Sequence, residues 1–122
     1  MPQNQNDTST RAERYVRTEP AWSHAEKKAA RRIFDKAYRR ECHSIRDKLK
    51  DMIAAAVDAP DIWRIHDYLS EERVRTDELF DYRYSALIFV FARLLADGLV
   101  TEAELNELSP EKVAQIRRIV ER

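Results

Sequence analysis

Seven apolar residues in a row, Ala86-Leu87-Ile88-Phe89-Val90-Phe91-Ala92, set the hardest condition on this chain. A helix built on that run is apolar on every side, and every side must be covered. A strand is the rival reading of so short a run. Helix is favoured because Arg93-Leu94-Leu95-Ala96-Asp97 continues a helical pattern and Gly98 stands ready as the C′ residue. The expected helix spans about Asp77 to Asp97, at the centre of the fold or in a subunit interface. Composition agrees: one Gly and four Pro in 122 residues, 43% of them apolar and 36% charged, describe an all-α chain with few tight turns.

Two helices are expected before it. Ser23-His24-Ala25-Glu26 is a capping box, with Trp22 ahead of it as a staple residue. A long amphipathic helix follows to about Ala56. Its apolar stripe is Ala30, Phe34, Tyr38, Cys42, Ile45, Leu49, Met52 and Ala56, flanked by Ile33 and Ile53, and it calls for a partner helix along its whole length. Asp58-Ala59-Pro60 ends it and opens a second helix, to about Val74 or Arg75. That helix carries two stripes. Ile62, Ile65 and Leu69 form one; Trp63, His66, Asp67, Ser70 and Arg73 form the other, on a neighbouring face. After the apolar third helix, Thr101-Glu102-Ala103-Glu104 is another capping box. Ser109-Pro110-Glu111 opens a last short helix with Val113, Ile116, Ile119 and Val120 on its apolar edge. The expected organisation is a polar, disordered tail over 1–20 and one helical domain over 21–122.

Surfaces, not reactive groups, carry the function in this reading. His66 and Asp67 are neighbours on a helix and point about 100° apart, so they are not expected to form a hydrogen-bonded dyad. There is no Gly-rich loop for phosphate, and Cys42-His43 has no ligand partner three or four residues away. His24 is read as an exposed first-turn residue. We expect no catalysis, no metal and no cofactor. Formal net charge is zero, and the Arg31-Arg32 and Arg39-Arg40 pairs are interleaved with Asp35 and Glu41, with Glu26 and Asp47 close by. They read as a salt-bridged, solvated face, which leaves nucleic-acid binding a remote option. A lone Cys, no apolar run long enough for a bilayer and no signal-type N-terminus point to a soluble cytoplasmic protein without integral membrane association. The second stripe is different: an aromatic, an imidazole, a carboxylate and a guanidinium on one face suit an interface, most simply a homodimer. Asp67 and Arg73 lie six apart and cannot pair within one helix, so burial would require partners from elsewhere.

Two strings carry a family resemblance. Trp63-Arg64-Ile65-His66-Asp67-Tyr68-Leu69-Ser70, with Arg73 after it, and Asp81-Tyr82-Arg83-Tyr84-Ser85-Ala86-Leu87-Ile88-Phe89-Val90-Phe91-Ala92 resemble the fluorescence recovery proteins of cyanobacteria. Trp22-Ser23, Phe34, Tyr38 and Arg40-Glu41 resemble that family's first helix. The similarity covers roughly Ala21 to Ile116. It implies an all-α homodimer that binds the C-terminal domain of the photoactivated orange carotenoid protein. Such a dimer speeds return from the red to the orange form and promotes release from phycobilisomes, without covalent chemistry or carotenoid of its own. In a cyanobacterium it would work at the periphery of the thylakoid. The resemblance places the dimer interface on Trp63, His66, Asp67 and Arg73, to which the stripe adds Ser70. It places partner docking on a head region containing Phe89 and the C-terminal helices, with Tyr82, Phe91 and Gln115 as the other candidates. Gln115 stands where the family is expected to have a basic residue. A helical dimer of this type serving a different protein, as scaffold or chaperone, is the alternative.

Overall fold

A computed structural model describes residues 21–121, so the tail expected over 1–20 lies outside the described residues. The chain is all-α there, with no strand among the described residues. Its five helices are α1 His24–Ala55, α2 Ala59–Leu79, α3 Leu87–Ala96, α4 Glu102–Leu105 and α5 Pro110–Val120.

The helix starts follow their local chemistry. Ser23 Oγ accepts the Glu26 N–H at 3.1 Å while Glu26 Oε1 accepts the Ser23 N–H at 3.4 Å. Thr101 and Glu104 make the same reciprocal pair at the start of α4. Asp58 is the N-cap residue of α2, and Asp61 completes that start by accepting the N–H groups of Val57 and Asp58. Gly98 ends α3 at φ 77°, where its own N–H reaches Leu95 O and the Leu99 N–H reaches Leu94 O. Only a residue that tolerates the left-handed region closes a helix in this way.

α1 is 32 residues long, about 48 Å at 1.5 Å per residue. Its N-terminal half and its C-terminal half belong to different parts of the molecule. Ala29, Ala30, Ile33, Phe34 and Ala37 are buried against α3 and its surroundings, and the core also takes Val100, Leu105, Leu108, Val113 and Ile116. α3 is the central helix: Leu87, Phe91 and Leu94 are wholly buried, and α5 packs along it. Beyond Glu41, α1 folds back on α2 as a hairpin with a three-residue turn. There Ile45, Leu49 and Met52 are only half-buried, and Cys42 and Ile53 are exposed. The expected partner along the whole of α1 is therefore absent within the described residues of one chain. The stripe is covered in the head and left open in the arm.

The largest departure from the expected boundaries lies between the two regions. α2 continues to Leu79, past the expected end at Val74 or Arg75, and α3 begins at Leu87 instead of Asp77. The intervening Phe80–Ala86 is not helical because its aromatic rings gain more by lying on α1. Phe34 meets Phe80 and Tyr82 edge-on at 5.4 and 4.9 Å, Tyr38 meets Phe80 at 5.2 Å, and Trp22 meets Tyr84 at 5.8 Å. Rings at every second residue share one side of an extended segment, whereas a helix would spread them around its axis. Arg31 lies 4.5 Å from the Tyr82 ring centre, adding a cation–π contact to the belt.

Candidate protein-interaction site

The face that α2 turns to α1 is Ile65, Tyr68, Glu72, Thr76 and Leu79, all at least half-buried. The apolar stripe expected to be core is only partly that face: Ile65 is on it, while Ile62 and Leu69 are exposed. The second stripe is exposed throughout. Trp63 is 65% accessible, and His66, Asp67, Ser70 and Arg73 stand beside it on the same side of the arm. The Trp63 and His66 rings meet edge-on, 6.3 Å apart. His66 Nδ1 comes within 3.4 Å of Asp67 Oδ1, closer than the helical angle between them implies. The two exposed side chains bend toward each other, and at that length in water the contact is weak. Arg73 does not reach Asp67; its Nε donates to Asp77 at 3.0 Å, one turn along. With Ile53, Val57, Ile62, Leu69 and Val74 also exposed, the arm carries more uncovered apolar side chain than any other part of the described chain.

At the other end of α2 the arm meets the head. Glu41 is buried on α1 and accepts Arg75 Nη2 at 2.9 Å, and Glu72 binds the same guanidinium. The Glu72 carboxylate, together with Glu41, raises the Arg75 pKa despite the opposing effect of burial. Beyond Arg75 a groove of about 370 Å³ opens between α2 and α3, lined by Arg75, Glu78, Leu79, Phe89, Val90 and Arg93. Phe89 is 66% accessible, alone among the large apolar residues of α3.

The other docking candidates fall in different places. Tyr82 is half-buried in the aromatic belt, where its hydroxyl donates to Lys27 O at 3.4 Å; burial and neighbouring Tyr84 push its pKa up to about 12. Phe91 is wholly buried, so its ring belongs to the core and is not presented to a partner. Two positions along α3 turn Phe91 about 200° from Phe89. Gln115 is exposed on α5.

Two ionic ties that hold the head together were not visible in the sequence pattern. Glu104 binds Arg40 through both oxygens, at 2.6 and 3.0 Å, and Lys36 at 3.0 Å. The Arg40 guanidinium, aided by the Thr101 N–H and Lys36, outweighs burial and holds the Glu104 carboxyl down at about 2. Lys112 is buried, donating to Ala21 O and to Glu26 Oε1 at 3.0 Å, with its ammonium 4.8 Å from the Trp22 ring centre. Glu26 Oε2 also accepts the Ser109 N–H at 3.0 Å, so one carboxylate serves the N-termini of α1 and α5. Burial alone would raise the Glu26 pKa, but the Ser109 N–H and Lys112 lower it. The capping box marks Glu104 and Glu26 as important, but only for their own helices. Of the Arg31-Arg32 and Arg39-Arg40 surface, Arg31 pairs with Asp35 as expected, Arg32 and Arg40 reach Glu107 and Glu104 across the fold, and Arg39 has no ion pair among the described residues. Among the described residues no three His, Cys, Asp or Glu side chains converge as for a metal, and no helix is long and apolar enough to cross a membrane.

A largely covered head from which the Phe89 ring projects and an arm with an uncovered face suit protein contact, and comparison with known proteins agrees. The family described as the photoprotection regulator fluorescence recovery protein matches residues 22–120. The chain belongs to that family. Over 101 residues it is 38% identical to the fluorescence recovery protein of Synechocystis sp., covering 83% of this chain and 93% of that protein. The solved structure of the family member from Synechocystis sp. PCC 6803 superposes with a TM-score of 0.79 at 36% identity, covering 84% of this chain and all of the other. The structure of the Fremyella diplosiphon member gives 0.78 at 35% identity, with the same coverage. The family's fold is thus present over the whole described length apart from a few terminal residues.

Proposed function

We propose that this chain is a non-enzymatic photoprotection regulator that acts as a homodimer in the cytoplasm and, in a cyanobacterium, at the periphery of the thylakoid. It binds the C-terminal domain of the photoactivated orange carotenoid protein, speeds its return to the orange form and promotes its detachment from phycobilisomes. Phe89 carries the reading: in a family of photoprotection regulators, it is the one large apolar residue of an otherwise buried helix left open to solvent. A protein that accelerates a conformational return does so by binding the orange-like arrangement, or the transition state toward it, more tightly than the red one. Surface complementarity supplies that preference without a proton donor.

The arm supports the dimer. Ile53, Val57, Ile62, Trp63, Leu69 and Val74 lie exposed on one hairpin, and an isologous contact between two such hairpins would cover both sets at once. Trp63, His66, Asp67, Ser70 and Arg73 form its polar-aromatic part in this reading. Gln115 favours one rival: the same helical dimer serving another protein partner, since a charge expected on the docking side is missing.

Dark recovery of a photoactivated orange carotenoid protein, followed by visible absorbance with and without this chain, tests the function. Acceleration supports it, and Phe89→Glu should abolish the acceleration while the helical content stays. No acceleration by a folded dimer would give the rival partner the advantage. Asp67→Leu and Arg73→Glu should each move the mass in solution toward monomer, since one strands a charge and the other introduces a repulsive one. An unchanged dimer mass in both would remove these residues from the interface.

A further inference from the structure

We propose that the groove between α2 and α3 receives a partner segment in which a lysine or arginine stands beside a large apolar side chain, with the cation held between the Phe89 ring and the Glu78 carboxylate. The inference rests on the docking function proposed above and specifies what the docked protein presents.

The apolar side of the groove is Leu79, Val90 and the ring of Phe89, which accounts for an apolar side chain in the occupant. The charges decide what stands beside it. Arg75 and Arg93 both line the groove, and a carboxylate occupant is the obvious first thought. Each guanidinium already has a carboxylate to balance its charge, however. Arg75 uses Nε and Nη2 on Glu72 and Glu41, and Arg93 directs Nε at Asp97, 3.1 Å away. Three carboxylates thus face two guanidinium groups before Glu78 is counted. Glu78, exposed at the groove edge, has no ion pair among the described residues. An incoming anion would find the two cations already balanced by Glu41, Glu72 and Asp97 and would meet Glu78, whose charge is not matched. An incoming cation finds an unmatched carboxylate and an exposed aromatic ring lining the same groove, the two groups that attract ammonium and guanidinium. A long basic side chain also lays its methylenes on apolar surface while its head stays polar. A volume of about 370 Å³ admits such a side chain with one apolar neighbour.

The test is titration of the photoactivated orange carotenoid protein with the unaltered chain, Glu78→Gln, Glu78→Lys and Asp35→Lys, at two salt concentrations. Asp35 lies on α1, outside the groove lining, and its reversal controls for net charge. We expect Glu78→Gln to weaken binding about tenfold and Glu78→Lys more, with Asp35→Lys close to the unaltered chain. The salt sensitivity should fall in Glu78→Gln. A lysine- or arginine-to-glutamate change in the partner should restore binding to Glu78→Lys. Circular dichroism and solution mass confirm that each variant remains folded and associated. Unchanged or tighter binding by a folded Glu78→Lys overturns the cationic occupant while leaving the docking function standing. If the unaltered chain itself fails to bind, the docking function falls and this inference falls with it.

Discussion

The head and the arm are built from the same α1 helix, yet they satisfy their side chains in opposite ways. In the head, apolar residues are covered and the polar ties join segments far apart in sequence: Arg40 to Glu104, Lys112 to Glu26 and Trp22 Nε1 to Tyr84 O. Along the arm below the Glu41–Arg75 junction, the ion pairs are local, as with Arg64–Asp61 and Arg73–Asp77, and the apolar residues face outward. Exposed local pairs contribute only about 0.2–0.5 kcal/mol each. A hairpin held by so little, with Val57 90% accessible at its turn, is better suited to cover a second surface than to stand alone. The most exposed apolar side chain of the head is Phe89. The difference puts the covered core in the head and most of the uncovered apolar surface on the arm.

Three changes should break or sharpen that contrast, in descending order of size. Phe91→Ala, two residues from the exposed Phe89, should destabilise the head by about 3–5 kcal/mol because nothing can collapse into the space at the centre of α3. Chemical denaturation measures it; a loss below about 1 kcal/mol would mean that the head is loosely packed and the contrast overstated.

Acid should act on the head next. The folded Glu104 carboxyl titrates at about 2, below the ordinary value of 4.5. Its contribution is therefore complete above the ordinary value and is lost as pH falls from there toward 2. Both of its cationic partners, Arg40 and Lys36, are about a third or more exposed, so solvent reduces the benefit to about 2 kcal/mol at neutral pH. Glu104→Gln should lower the neutral-pH melting temperature and flatten its decline in acid. A parallel decline in both proteins would mean that the Glu104 tie to Arg40 and Lys36 does not stabilise the head.

The smallest change in folding free energy should come from the arm. Trp63→Ala removes an exposed ring and should cost the dilute chain under about 1 kcal/mol. Its effect appears through association instead: the melting temperature of the unaltered protein should rise with concentration, and that dependence should weaken in the variant. Equal concentration dependence in both would show that the Trp63 face is not what the arm covers.

Legibility in the sequence followed the same division. The capping residues Ser23, Thr101 and Ser109, and Gly98 as a helix terminator, could be read directly, and so could the burial of most of the Ala86–Ala92 run; the expectation that every side of it is covered fails at Phe89, which stands in water. The Trp63-to-Arg73 stripe was legible as a face distinct from the side of α2 packed on α1. The aromatic segment Phe80–Ala86 was not, since its residues continue a helical pattern until Phe34, Tyr38 and Trp22 offer their rings. Lys112 looked like an ordinary charged residue of the last helix, and only the approach of Ala21, Trp22 and Glu26 makes it a buried clamp. Phe89 and Phe91 are the same residue type two positions apart; the resemblance put Phe89 first and kept Phe91 as a further candidate, and only the packing shows Phe91 wholly buried.

By itself the sequence determined the all-α class, the helix starts, the central apolar helix and the membership of the family that its two long strings announce. Those features rest on hydrogen bonds spanning a few residues or on an apolar pattern that must be covered in any fold. Tertiary structure alone decided where α2 stops and α3 starts, which phenylalanine is left in water, and which half of α1 is covered. Those outcomes depend on side chains brought together from far apart in the chain, as Phe34 and Tyr38 are with Phe80, or Lys112 with Glu26. Such contacts exist only after the chain has met the entropy of closing those loops, and their strength depends on what else is packed around them.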